Sequence, residues 1–134
     1  MRSPRAWALL ARMVLWRVSL PVLTRVLPLE RLVGLLARPR ERRREAEQEL
    51  AQRAAHRLWR DAEGPCLQRS LALYRELGRL GGEPRLVCGV SRSGGAVVGH
   101  AWVEAGGGVA VDAPGAADGY ERIVAYSPTG AREP

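Results

Sequence analysis

Three residues in this chain form a set capable of nucleophilic catalysis: Cys66, His100 and Asp112. Cys66 follows Gly64-Pro65, and proline suits the first turn of a helix, so the thiol is expected at or beside a helix N-terminus. The unpaired N–H groups and positive dipole end there favour a thiolate, and can receive an oxyanion as well. The plain alternative for Cys66 is a small buried hydrophobe. His100 sits in Val97-Val98-Gly99-His100-Ala101-Trp102-Val103-Glu104, a strand by its pattern. Alternation puts His100, Trp102 and Glu104 on one face and Ala101 and Val103 on the other. A lone strand histidine is more often structural, and an aspartate before Ala113-Pro114 is equally at home in a turn. A hairpin joins the two cases. If the turn at Gly106-Gly107-Gly108 centres on Gly106, His100 lies opposite Asp112 on the same face, with Cβ atoms roughly 4.5–5.5 Å apart. A carboxylate there fixes the imidazole tautomer and leaves the other ring nitrogen for a thiol. A two-residue turn at Gly106-Gly107 instead pairs Asp112 with Ala101, on the other face.

The elements that must position this set follow from punctuation and periodicity. From Cys66 the apolar positions Leu67, Leu71, Leu73, Tyr74, Leu77 and Leu80 fit one buried helical face, stopped by Gly81-Gly82. Three β-like runs follow, Arg85 to Ser91, Val97 to Ala105 and Val109 to Ala113, separated by glycine-containing turns. Upstream, residues 6–20 read as an amphipathic helix, with Trp7, Leu10, Val14 and Val18 at helical spacing and Arg5 and Arg12 on another face. Pro21 and Pro28 are expected to break it into short pieces. The charged run Arg38 to Glu45 leads into a helix from about 41 to 60, its interleaved signs reading as a solvated face. The tail from Ser127 reads as frayed. The fold class is α+β: N-terminal helices (1–60), then a nucleophile-bearing helix packed on a small antiparallel sheet (61–134).

Composition narrows the setting. The chain has 134 residues, 46% hydrophobic, enough for one core. Phe is absent and all 21 basic residues are Arg, a bias that suits a high-GC genome. The net charge of +7 suits an anionic partner but says nothing of chemistry. No aromatic interleaving or nucleic-acid motif accompanies the Arg cluster, so no nucleic-acid partner is expected. Two cysteines, Cys66 and Cys88, are too few for a disulfide framework and suit a reducing, cytoplasmic setting. Cys66, Cys88, His56 and His100 lack the paired short spacings of a structural zinc site, so no metal is expected. Arg12, Arg17, Arg25 and Arg31 interrupt the apolar N-terminal stretch, so it does not read as a membrane span or a secretory signal.

The order Cys, His, Asp on helix, strand and next strand matches the papain-like and transglutaminase-like construction of a thiolate–imidazolium pair. Three segments carry a closer resemblance: Cys66-Leu67-Gln68-Arg69-Ser70-Leu71-Ala72-Leu73-Tyr74, Leu86-Val87-Cys88-Gly89-Val90, and His100-Ala101-Trp102-Val103-Glu104. Over about residues 60–126 the chain resembles the leader peptidase of lasso-peptide biosynthesis, the second half of the split B-type protein, with a transglutaminase-like core. The resemblance implies a triad of Cys66, His100 and Asp112 and no cofactor. It implies a precursor leader peptide as substrate and a separate leader-binding protein that presents it, and it leaves contact with the macrolactam-forming cyclase open. Residues 1–60 read as helices and not as a leader-binding domain, so that domain is expected on a separate chain. Trp102 and Glu104 share the face of His100 and are candidates to line the substrate channel, though core packing suits Trp102 as well. Trp59 is a candidate upstream donor to the oxyanion, and Cys88 reads as core. Two rivals stand beside leader proteolysis: another acyl transfer on the same triad, and a non-catalytic basic helper with Cys66 inert. A docking surface on a partner or a membrane is left open for the N-terminal helices.

Overall fold

The computed structural model describes residues 4–37, 45–59, 66–93, 95–105, 108–110 and 120–133. Four helices precede four strands: α1 (Pro4–Val26), α2 (Leu29–Leu36), α3 (Glu45–Leu58), α4 (Cys66–Arg79), β1 (Arg85–Ser93), β2 (Ala96–Ala105), β3 (Gly108–Ala110) and β4 (Glu121–Tyr126). The strands form one antiparallel sheet in the order β3-β2-β1-β4. The α+β reading is therefore correct in class and in order.

The main core lies between the helices and one face of the sheet. Leu9, Met13 and Leu20 of α1, Leu32, Val33 and Leu36 of α2, and Ala51, Ala54 and Ala55 of α3 meet the buried side of α4. Leu86 and Val103, opposite one another on β1 and β2, close it from the sheet side. Each fully buried aliphatic side chain contributes on the order of 2 kcal/mol. The texture change near residue 60 is thus a change of composition, and the core runs across it.

α4 begins at Cys66 and ends as its glycines require. Gly81 takes φ 75, a conformation cheap only without a Cβ, and the Gly82 N–H donates back to the Leu77 carbonyl at 2.8 Å. α4 is tied to α1 by charge. Glu76 is fully buried and accepts from Arg12 Nε at 2.8 Å and from Trp16 Nε1 at 3.4 Å. Arg17 Nε donates to the Leu58 carbonyl at 2.9 Å, satisfying the C-terminal end of α3.

Four expectations change. α1 runs through Pro21, and the break falls at Pro28, ahead of α2. Proline removes one donor and crowds one carbonyl, and the packing of Leu20 in the core outweighs that cost. A fourth strand, β4, returns to pair with β1 on the side away from β2. The tail is ordered: Arg132 bridges to Tyr126, the Glu133 N–H donates to the Ala125 carbonyl at 2.8 Å, and Arg85 Nε donates to Glu133 at 2.6 Å. Finally, the β2–β3 rungs are Val103↔Ala110, Glu104↔Val109 and Ala105↔Gly108. The centring on Gly106 is incorrect, and the register is that of the two-residue turn.

Candidate active site

Cys66 opens α4 and is half-buried. One turn further on, Ser70 is buried, and its hydroxyl donates to the Ala101 carbonyl at 3.1 Å. Residues four apart share a helix face, so this bond aims the Cys66 stripe at β2, one residue from His100. Cys88 pairs with Ala101 across β1 and β2. Burial pushes the Cys88 thiol above its ordinary pKa, and the neighbouring Cys66 adds to the rise. Cys88 thus lies on the same face of the sheet as Ala101, toward α4.

His100 lies opposite Gly89 on β1 and on the other face of the sheet. Its ring stacks on Trp102, with centroids 5.7 Å apart, and against Tyr120 at 5.1 Å. Trp102 is buried with Val87 and Ala125. Gly89 makes room for that stack: a Cβ there would come within 2.8 Å of the Glu121 carbonyl and 2.9 Å of the Trp102 ring. The Trp102 indole donates to Glu104 at 3.1 Å. Glu104 is also held by Arg122 and lies 3.6 Å from Arg85. Burial opposes ionisation of Glu104, but the Trp102 and Arg122 hydrogen bonds and the two guanidinium charges outweigh it, holding the carboxyl below its usual range.

The predicted alternation is therefore correct, and it has a geometric consequence. α4 packs on the Ala101–Val103 face, whereas the His100 ring stacks on the opposite one. The structure thus sets α4, with Ser70 and Cys66, on the Ala101 side of β2 and the His100 ring on the other side. Beyond Val103 the described β2–β3 ladder stops, which leaves the outer edge of β2 beside His100 unpaired among the described rungs. Asp112 lies outside the described residues.

The other candidates have packing roles. Trp102 is buried, and Glu104 is bound to it and to two arginines. Trp59 is buried in the helical core, with the Arg17 guanidinium 5.8 Å from its ring centroid. Among the described residues its indole N–H has no hydrogen-bond partner. A cleft over β4 is lined by Arg85, Arg122, Arg132 and Glu133 and includes neither Cys66 nor His100. Among the described residues no group of His, Cys, Asp and Glu is arranged to hold a metal. Ser70 and Gly89 went unnoticed in the sequence. Ser70 carried a usable signal, its spacing of four from Cys66. Tyr120 carried none, because only β4 brings it to His100.

A helix that begins with cysteine and packs on an antiparallel sheet bearing a histidine on its second strand defines a transglutaminase-like arrangement. The Transglutaminase-like superfamily profile matches residues 14–125, and the chain belongs to that superfamily. Its typical chemistry is cysteine-protease or acyl-transfer chemistry on a Cys-His-Asp set. No match to the chain is found among curated proteins or among solved structures.

Proposed function

We propose that this chain is a cysteine protease that removes the leader from a ribosomally made lasso-peptide precursor, with Cys66 as nucleophile, His100 as base and Asp112 as the carboxylate that orients it. The observation that supports the chemistry is Cys66 at the first position of α4, a helix tied to the strand of His100 by the Ser70–Ala101 bond, in a superfamily whose typical chemistry is cysteine-protease or acyl-transfer chemistry. The substrate reading rests on the three sequence segments that resemble leader peptidases.

In this reading His100 takes the Cys66 proton, and the thiolate attacks the carbonyl carbon of the leader's last residue. The helix N-terminus receives the developing oxyanion. The tetrahedral intermediate collapses as the C–N bond breaks, and His100 gives its proton to the departing amine of the core peptide. Water then hydrolyses the thioester and frees the leader. The reaction in this reading requires the His100 ring to reach the Cys66 side of β2, since the ring stacks on Trp102 on the opposite face. A separate leader-binding protein presents the substrate, the freed amine passes to a cyclase, and the reaction takes place in the cytoplasm.

The test is mass spectrometry of a precursor incubated with this protein and the leader-binding partner, wild type beside Cys66→Ala. A single cut at the leader–core junction, absent in Cys66→Ala, supports the proposal. An intact precursor with folded protein and a verified cognate partner overturns it. Formation of an amine adduct in place of hydrolysis, with a small acceptor amine present, would assign transfer to an amine instead.

A further inference from the structure

α1 is apolar on two opposite sides. One side, with Ala6, Leu9, Met13 and Leu20, is buried in the core. The other carries Trp7, Val14, Leu15, Val18, Val22 and Val26, which are 51–71% exposed. At 100° per residue these six fall within an arc of roughly 120°. Single exposed apolar residues are ordinary, but a continuous stripe along a 23-residue helix marks an interaction surface.

The charges beside the stripe indicate what covers it. α1 contains no Asp or Glu. Arg25 lies at the C-terminal end of the arc, Arg5 flanks its beginning, and Arg31 and Leu35 are exposed on α2. The chain as a whole carries +7. The surface therefore asks for a partner that is apolar in depth and anionic at its boundary. A second copy would set Arg25 and Arg5 against like charges.

We propose that α1 lies in the plane of an anionic bilayer surface, its stripe among the acyl chains and its arginines at the lipid phosphates. By length and composition α1 could cross a membrane. In the folded protein its other side is held along its length, by Leu9, Met13 and Leu20 in the core and by Arg12 on Glu76, so it lies on the bilayer and does not span it.

The test is vesicle co-sedimentation of the full chain, with phosphatidylcholine vesicles alone and with vesicles containing phosphatidylglycerol. Binding should be at least about tenfold stronger to the anionic vesicles, should weaken with salt, and should fall about fivefold for each of Arg5→Gln and Arg25→Gln. Leu15→Glu with Val18→Glu should abolish it while leaving the circular dichroism spectrum and melting temperature unchanged, because both side chains face solvent. Folded monomeric wild type that stays in the supernatant overturns the proposal. So does equal binding to both vesicle types, and so does a dimer in size-exclusion chromatography that the double variant dissociates, which would make a second copy the occupant.

Discussion

Gly89 shows how one residue controls the surroundings of His100. It is the cross-strand partner of His100, and the Trp102 ring lies over it at a distance that leaves no space for a methyl group. Gly89→Ala must displace either the Glu121 backbone or the buried Trp102, and overpacking of this kind costs about 1–3 kcal/mol. The expected outcome is a lower melting temperature and a changed near-ultraviolet dichroism from Trp102. At Cys66 the expectation is the reverse. Cys66→Ala removes a half-buried thiol and should leave the fold intact while reducing turnover by about a thousandfold or more. Asp112→Asn should lower turnover more than stability, and a normal rate in that variant would remove Asp112 from the proposed triad. These residues were legible in the sequence by type: a cysteine after proline, a histidine in an alternating strand, an aspartate beyond a glycine turn. Gly89 was not, because its requirement comes from a ring thirteen positions away in the chain.

At the scale of elements, the orientation of α4 depends on α1. Glu76 faces α1 and is fully buried, and its charge is met by Arg12, which is itself partly open to solvent. Arg12→Met would leave a buried carboxylate without its cationic partner, and such losses cost about 3 kcal/mol. The expected result is a reduced denaturation midpoint, with much of the loss recovered by adding Glu76→Leu, because the pair is then replaced by apolar contact. Failure of the double variant to recover would show that the pair is worth more than its own desolvation. The helix α4, the β1–β2 hairpin and the glycine stop at Gly81 were readable from local pattern. α1 was readable as a helix but not in its length, since core contacts of Leu20 carry it past Pro21. β4 went unread because Glu121–Tyr126 has too little alternation to declare a strand, and its pairing with β1 is a long-range event.

Across the whole molecule the ionisable groups bracket stability from both ends of the pH scale. Glu104 has a lowered pKa in the folded state, so its contribution is present above the unfolded carboxylate value and is lost as pH falls through the folded one. Melting temperature should therefore decline in mild acid, and Glu104→Gln should flatten that decline. Tyr74 is the opposite case. Burial pushes its phenol up to about 12, against a lowering contact with the Gly130 backbone, while its O–H donates to the Ser127 carbonyl at 2.5 Å. A raised folded pKa means stability that is full below the ordinary phenol value near 10 and lost as pH rises toward 12. Tyr74→Phe should remove that alkaline loss. Considered by itself, the sequence determined the α+β class, the helix that starts at Cys66, the hairpin of β1 and β2, and the residue types for acyl transfer, because caps, turns and periodicity act within a few residues. The tertiary structure alone decided the two-residue register of β2 and β3, the return of β4, the seating of α1 on Glu76, and the opposite faces from which α4 and the His100 ring meet β2. Each of those depends on which distant surfaces bury one another, and local propensity carries no record of that.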